Sequence, residues 1–301
     1  MLSSQDQKAK QAVDYASGVL LYDNFDLIQR VLQTSKNADE LMKLANSLEA
    51  FVKSSFKKHV VTCDTTRAKF SLEGAGSSGV ACAICTLPHR VMEHFKANVH
   101  SDHHHLLEDC KTKILLYQGR RVRVLNQRKH IDEYLTNLTD DQAYLVMDFK
   151  MKFEAMYYRE KSTDFYGKKG QSWHGIMVYT RYTSAQKEAH LRSESSHDLQ
   201  LHHISYYDHI SSGDNKQDSA AVMTSFEASC MTLKKDFPHI KQVYVQSDNA
   251  KCYKTPELIF AMFEIAQQNK LEILCYVHTG VQDGKGPIDG HFATAMKHIS
   301  K

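Results

Sequence analysis

Three aspartates stand where a carboxylate is costly or conspicuous. Asp148 closes the apolar part of YLVMDFKMKF, Asp248 follows VYVQS at a strand exit, and Asp289 lies in GKGPIDGHF near a helix start. An unpaired carboxylate inside an apolar strand is expensive to desolvate, so Asp148 calls for a cation or a partner. Asp248 ahead of Asn249 also reads as a turn residue, and Asp289 after Gly-Lys-Gly-Pro as a helix N-cap. Both readings stand beside the chemical one. If the three acids converge, their hard oxygens suit Mg²⁺ or Mn²⁺. Two such ions about 3.5–4 Å apart support in-line displacement at a phosphodiester. Asp283 is the rival for the third position, set behind Asp289 because its glycine neighbours favour an exposed turn. Glu154, Glu160 and Asp208 read as surface acids or local ion pairs.

The elements that must position these acids run β-β-β-α-β-α-β-α. Strands are expected over 144–153, 172–182, 199–210, 243–247 and 271–277. Helices are expected over 220–237, over 255–269 and from Pro287 onward. Three strands in a meander, then strands alternating with helices, imply a mixed α/β sheet with helices on both faces. VYV and EILCYV are unbroken apolar runs, as parallel strands buried on both sides require. In an open α/β sheet, ligands bind beyond the carboxyl ends of parallel strands. Adjacent, parallel first and fourth strands would bring Asp148 and Asp248 to one edge, and a helix returning past the fifth would add Asp289.

That element order is the order of the ribonuclease H-like fold, and two motifs make the resemblance specific. SDNAKCY resembles the second-acid motif of DDE/D transposases and retroviral integrases, where Asp-Asn ends the same strand. HTGVQDGKGPIDGHF is similar to the third motif of mariner-type transposases, with His278, Asp283 and then Pro287-Ile288-Asp289-Gly290-His291-Phe292 in order. YYREKSTDFYGKKGQSWHG is similar to a segment of uncharacterised transposon-derived proteins. The likeness covers about residues 144–301. It implies metal-dependent phosphodiester cleavage or DNA strand transfer. Asp148, Asp248 and Asp289 would be the catalytic metal ligands and Asn249 and His291 the auxiliary residues. Double-stranded DNA, as transposon ends or target, would be the partner of a homodimer. Three features depart from the wider pattern, of which the third acid is one that the mariner resemblance tolerates. The first two acids are 100 positions apart, the third is Asp rather than Glu, and the sequence stops 12 residues after Asp289, as in a truncated core. The early stop and the modest net charge of +3 motivate a transposon-derived DNA-binding protein without catalysis as the alternative. A cellular nuclease on the same scaffold is a further one.

Upstream, CAICTLPHRVMEHFKANVHSDHHHLLEDC puts Cys82-x2-Cys85 ahead of a histidine cluster. Cys82, Cys85, His100 and His104 would give a Cys₂His₂ set for a structural Zn²⁺, with Cys63 or Cys110 able to replace one histidine. The bland reading is an apolar turn followed by a His-rich helix start. Lys111, Lys113, Arg120, Arg121, Arg123, Arg128 and Lys129 follow on two expected helices, 105–118 and 124–138. They read as a solvated face or, with Lys168 and Lys169 of YGKKGQ, as contacts to DNA phosphates. Residues 1–56 read as helical, with Asn37 and Glu40 as a capping box, and 59–72 has β character. The expected division is a helical region over 1–60, a Cys/His and basic module over 61–140, and the catalytic domain over 141–301. Net charge is only +3, and 42% of residues are apolar. No apolar run nears the roughly 20 residues of a membrane span, and the N-terminus lacks an apolar signal core. Seven cysteines, an odd number, favour reduced thiols inside the cell. For a protein acting on DNA the expected compartment is the nucleus.

Overall fold

The computed structural model describes residues 19–63, 82–153, 170–182, 202–211, 215–279 and 286–299. The chain divides into two compact units, Met1–His130 and Ile131–Lys301.

The first unit is helical among its described residues: α1 (Val19–Leu32), α2 (Ala38–Ala50), α3 (Phe56–Thr62), α4 (Leu87–Asn98) and α5 (His104–Thr136) up to the unit boundary. Phe25, Ile28, Leu32, Leu41, Leu48, Met92, Phe95 and Leu107 share one buried cluster. Asn37 sits at the N-cap of α2 but makes no side-chain cap bond, so the expected capping box does not form. Asp39 and Glu40 lie instead in the first turn, where negative charge complements the helix dipole. The β character expected over 59–72 is overturned for 59–62, which are helical. A π turn at Phe51–Ser55 joins α2 to α3. Leu48, Val52, Phe56 and Val60 are all buried, at three successive four-residue steps. In a straight α-helix each such step overshoots a full turn by about 40°. The wider π turn absorbs that drift and keeps the apolar stripe on the core. A single 33-residue helix, α5, replaces the two basic helices expected. Gly119 is buried within it, and one interior glycine costs only about 1 kcal/mol.

The second unit carries a five-stranded sheet ordered β3-β2-β1-β4-β5. The strands are β1 (Gln142–Phe153), β2 (Gln171–Arg181), β3 (His202–Ile210), β4 (Gln242–Ser247) and β5 (Glu272–His278). β1, β2 and β3 pair antiparallel, while β1, β4 and β5 run parallel. This is the mixed α/β sheet of the ribonuclease H-like fold. Among the described residues, the end of α5 and three further helices belong to this unit: α6 (Ser219–Asp236), α7 (Pro256–Gln268) and α8 (Pro287–Ile299). Asp218 and Thr255 cap α6 and α7 through their side chains, accepting from Ala221 N and Leu258 N. One face of the sheet, with Leu145, Met147, Ile176, Val178, Val243 and Val245, buries against Val222, Phe226, Leu258 and Met262 of α6 and α7. The other face buries Trp173 and Met177 against Ile288 and Phe292 of α8. β1 is buried on both faces through Tyr144 beside Ala143, Leu145 and Met147, whereas β4, expected to be buried on both sides, buries alternate residues, Val243, Val245 and Ser247, and leaves Gln242, Tyr244 and Gln246 partly exposed.

Candidate functional site

β1 and β4 keep one register from Gln142↔Gln242 to Met147↔Ser247. Asp148 and Asp248 follow that last pair directly: Asp248 leaves the carboxyl end of β4, and Asp148 stands where β1, which runs on to Phe153 beside β2, loses its β4 neighbour. Side chains alternate along a strand, so Asp148 belongs to the face of Tyr144 and Val146. Asp248 comes two residues after Gln246, whose side chain meets Tyr144 on that face through a 2.7 Å hydrogen bond. α8, bearing Asp289, packs on the same face. The acids feel one another electrostatically. Burial, then the charges of Asp248 and Asp289, push the Asp148 carboxyl from its ordinary 3.8 up to about 7, against a lowering hydrogen bond from the Phe149 backbone.

The turn reading of Asp248 holds alongside this, whereas Asp289 is not the N-cap expected but the third residue of α8. Asp248 Oδ1 accepts from Ala250 N at 2.9 Å, which makes the turn, and Asn249 lies in that turn. Asp289 Oδ2 accepts from Gly286 N at 2.9 Å, closing the first turn of α8 in the manner of a capping-box acid. Each of these acids therefore commits one oxygen to the backbone. Among the described residues the three carboxylates do not gather within 4.8 Å of one another. Asp283, Glu154, Glu160, Lys168 and Lys169 lie outside the described residues.

Beneath the acids lies a neutral polar support. Tyr253 OH and His174 Nε2 are 3.1 Å apart, and the His174 ring packs on Phe149. Burial drops His174 to about 3, so its ring stays uncharged at neutral pH. Ser247 Oγ meets Tyr276 OH at 3.1 Å and His278 Nδ1 at 3.0 Å. His291 is held by Asp208, its Nε2 2.6 Å from Asp208 Oδ2. Asp208, expected to be a surface acid or a local pair, has its partner 83 positions away, and the pair is partly buried.

A second group of ligand atoms sits in the first unit. His59, Cys63, Cys82 and Cys85 bring their donor atoms within 4.8 Å of one another and could hold a metal ion. His59 Nε2 is 3.1 Å from Cys85 Sγ and 3.3 Å from Cys82 Sγ, and Cys63 Sγ is 3.6 Å from Cys85 Sγ. Cys82 and Cys85 are joined by Cys63, which the sequence allows in place of one histidine, and the correction is that His59 completes the group where His100 or His104 is expected. His100 instead is exposed, with Nδ1 3.2 Å from Asp102, and His104 Nε2 is buried without a hydrogen-bond partner. Four-residue spacing puts His59 and Cys63 on one side of α3. That spacing is the available signal in the sequence, but the β-branched run HVVT masks it by favouring a strand.

The basic stretch is not uniform. Lys111 is largely buried and paired with Glu93 at 2.9 Å and Glu108 at 2.7 Å, and Lys113 pairs with Asp109. Lys111 is therefore corrected from a phosphate contact to a largely buried ion pair, whereas Lys113 pairs along the partly exposed surface of its own helix. Arg120 and Arg121 are half-buried, while Arg123, Arg128 and Lys129 are exposed. Lys251 and Lys254, exposed in the turn after Asp248, are further cations beside the acids that the basic run in the sequence does not announce.

The family described as "Domain of unknown function (DUF8701)" matches residues 127–301, more than half of the chain. The chain belongs to the DUF8701 family. Asp148, Asp248 and Asp289 all fall within the DUF8701 match, whereas His59, Cys63, Cys82 and Cys85 precede it. No curated protein matches the chain. A solved structure, "Crystal structure of a pre-cleavage Mos1 transpososome", aligns over 81% of this chain and 83% of its own at 10% identity, with a TM-score of 0.31. That score is too low to bear on the fold, which rests on strand order and direction. Among the described residues, no helix is long and apolar enough to cross a membrane.

Proposed function

We propose that Asp148, Asp248 and Asp289 bind Mg²⁺ or Mn²⁺ and that the protein cleaves DNA or transfers its strands, in the manner of DDE/D transposases. The observation that carries this reading is the register: Asp148 and Asp248 follow the last pair of two parallel strands, and the helix bearing Asp289 covers the same face. The donor set fits a hard cation. Asp148, whose proton affinity is raised by burial and by the charges of Asp248 and Asp289, is relieved by positive charge between the three. When bound, such ions activate the attacking oxygen and stabilise the leaving one. The chain's own contribution is to hold the acids on a rigid sheet edge, with Tyr253, His174 and Ser247 fixing the backbone beneath. Asn249 lies beside Asp248 in the same turn, where it helps orient the substrate.

DNA is the proposed substrate and the nucleus the proposed compartment, with two copies of the chain in the acting assembly. Arg123, Arg128 and Lys129 contact backbone phosphates, with Arg120, Arg121, Lys168 and Lys169 as further contributors. In the first unit the soft donors His59, Cys63, Cys82 and Cys85 hold a structural Zn²⁺. Tetrahedral zinc with bonds of about 2.0–2.3 Å sets its ligands about 3.3–3.8 Å apart. The separations of 3.1, 3.3 and 3.6 Å are of that size.

A nicking assay on duplex DNA with and without Mg²⁺ tests the reading. Cleavage should need the ion and disappear in Asp148→Asn, Asp248→Asn and Asp289→Asn. Full activity in any of the three removes that residue from the mechanism. Salt-sensitive DNA binding without cleavage would identify a transposon-derived protein that has lost catalysis. Preference for an RNA–DNA hybrid would point to a cellular ribonuclease H-like nuclease.

A further inference from the structure

Asp148, Gly175 and Asp208 form one row across β1, β2 and β3, and so share a face. α8 crosses that face directly above the glycine. A Cβ on Gly175 would stand 2.7 Å from Cε1 and Cζ of Phe292, closer than packed carbons allow. The Phe292 ring also meets Trp173 edge-on, with centroids 5.4 Å apart. Ile288 and Phe292 are both buried, four residues apart, and form the keel on which the helix rests.

Helix geometry then places the flanks. At about 100° per residue, Asp289 and His291 project about 80° to either side of that keel. The His291 flank meets β3. Its ring stacks on Tyr206 with centroids 3.9 Å apart and planes 4° from parallel, and its Nε2 is 2.6 Å from Asp208 Oδ2. The Asp289 flank turns the other way, towards Asp148 and Asp248. Any roll of α8 about its keel moves His291 and Asp289 in opposite senses, so a contact that stops one stops the other. Asp208 is itself fixed, because Trp173 Nε1 donates to its Oδ1 at 2.9 Å. With one oxygen on Trp173 and the other on His291, Asp208 is engaged as an anchor and not as a fourth metal ligand.

We propose that Asp208 is a positioning residue: through His291 it fixes the roll of α8 and so the place of Asp289 at the sheet edge. The proposal rests on the function advanced above, since it gives Asp289 a cation to meet. Outer partners of this kind typically change metal affinity by about 10–100-fold when removed.

The test uses the full chain and Asp208→Ala, His291→Ala and His291→Gln, the last keeping a hydrogen-bond donor. Mn²⁺ affinity is measured by calorimetry, and kcat and KM by nicking. Trp173, the protein's single tryptophan, reports the cluster by its fluorescence during a Mg²⁺ titration. Both alanine variants should lose about tenfold or more in Mn²⁺ affinity. Their kcat should fall at unchanged KM for DNA, and the Trp173 response to Mg²⁺ should be lost. His291→Gln should restore most of each. A folded Asp208→Ala with wild-type affinity and kcat overturns the proposal. If that variant does not fold, the two His291 variants decide it by the same readings. Wild-type protein that binds no Mn²⁺ would sink the proposed function itself, whereas wild-type binding indifferent to Asp208 and His291 sinks only the positioning role.

Discussion

Asp148 offers the sharpest quantitative consequence of holding a buried carboxylate near two other acids without a cation. Its carboxyl titrates near 7 in the folded chain against an ordinary 3.8, chiefly because of burial and then because of Asp248 and Asp289. The folded state therefore holds this proton more tightly than the unfolded state. Below pH 4 both states are protonated and the full contribution to stability is present. As pH rises from about 4 to 7, the unfolded chain releases the proton first and stability falls, levelling off above 7. At about 1.4 kcal/mol per pH unit, that interval amounts to about 4 kcal/mol of metal-free destabilisation at pH 8. Asp148→Asn keeps the shape and removes the charge. Without divalent ions, the variant should melt higher than wild type at pH 8 by on the order of 10 °C for a unit of this size. The two should approach each other at pH 4.5. Saturating Mg²⁺ should raise the melting temperature of wild type but not of the variant. Differential scanning calorimetry from pH 4.5 to 8 with EDTA, repeated with Mg²⁺, measures all three. A variant less stable than wild type at pH 8, or a difference constant over the range, would refute the argument that burial and acidic neighbours make the Asp148 charge costly.

The same proton competes with metal, so the apparent Mn²⁺ association constant should rise about tenfold from pH 5 to 6 and flatten above about 7; a pH-independent constant would count against Asp148 as a ligand. Gly175→Ala should cost about 1–3 kcal/mol in denaturant unfolding, because the methyl meets the Phe292 ring at 2.7 Å; a neutral result would mean that α8 is not seated on the glycine. The protein should contain one tightly held zinc by elemental analysis, lost in Cys82→Ser or Cys63→Ser and unaffected in His100→Ala; zinc retained in both cysteine variants would reject the His59, Cys63, Cys82 and Cys85 set. Replacing Arg123, Arg128 and Lys129 by Ala should lower the salt slope of DNA binding by about 1 for each phosphate no longer neutralised, and an unchanged slope would place the DNA elsewhere.

Much of the second unit is legible in the sequence, for identifiable reasons. The apolar runs ahead of Asp148 and Asp248 mark β1 and β4, although β4 is buried on one face only, and Thr255-Pro256 marks the start of α7. The relation between distant positions is not legible. Nothing near Asp208 in SYYDHI announces a histidine 83 positions on, and Gly175 reads as an ordinary small residue until Phe292 lies over it. The first unit is harder because local preference misleads. HVVT favours a strand on its own, but the buried stripe of Val52, Phe56 and Val60 holds it helical. That helix delivers His59 and Cys63 to Cys82 and Cys85 in place of the histidines nearer in sequence. Lys111 likewise reads as available for phosphate, whereas the fold surrounds it with Glu93 and Glu108.

The most direct test is diffraction from crystals grown with Mn²⁺, using anomalous scattering to locate the ion. The account predicts manganese between Asp148 and Asp248, with carboxylate oxygens at about 2.1 Å and Asp289 completing or bordering the site. Manganese bound elsewhere, or none between these aspartates at saturating concentration, would contradict it.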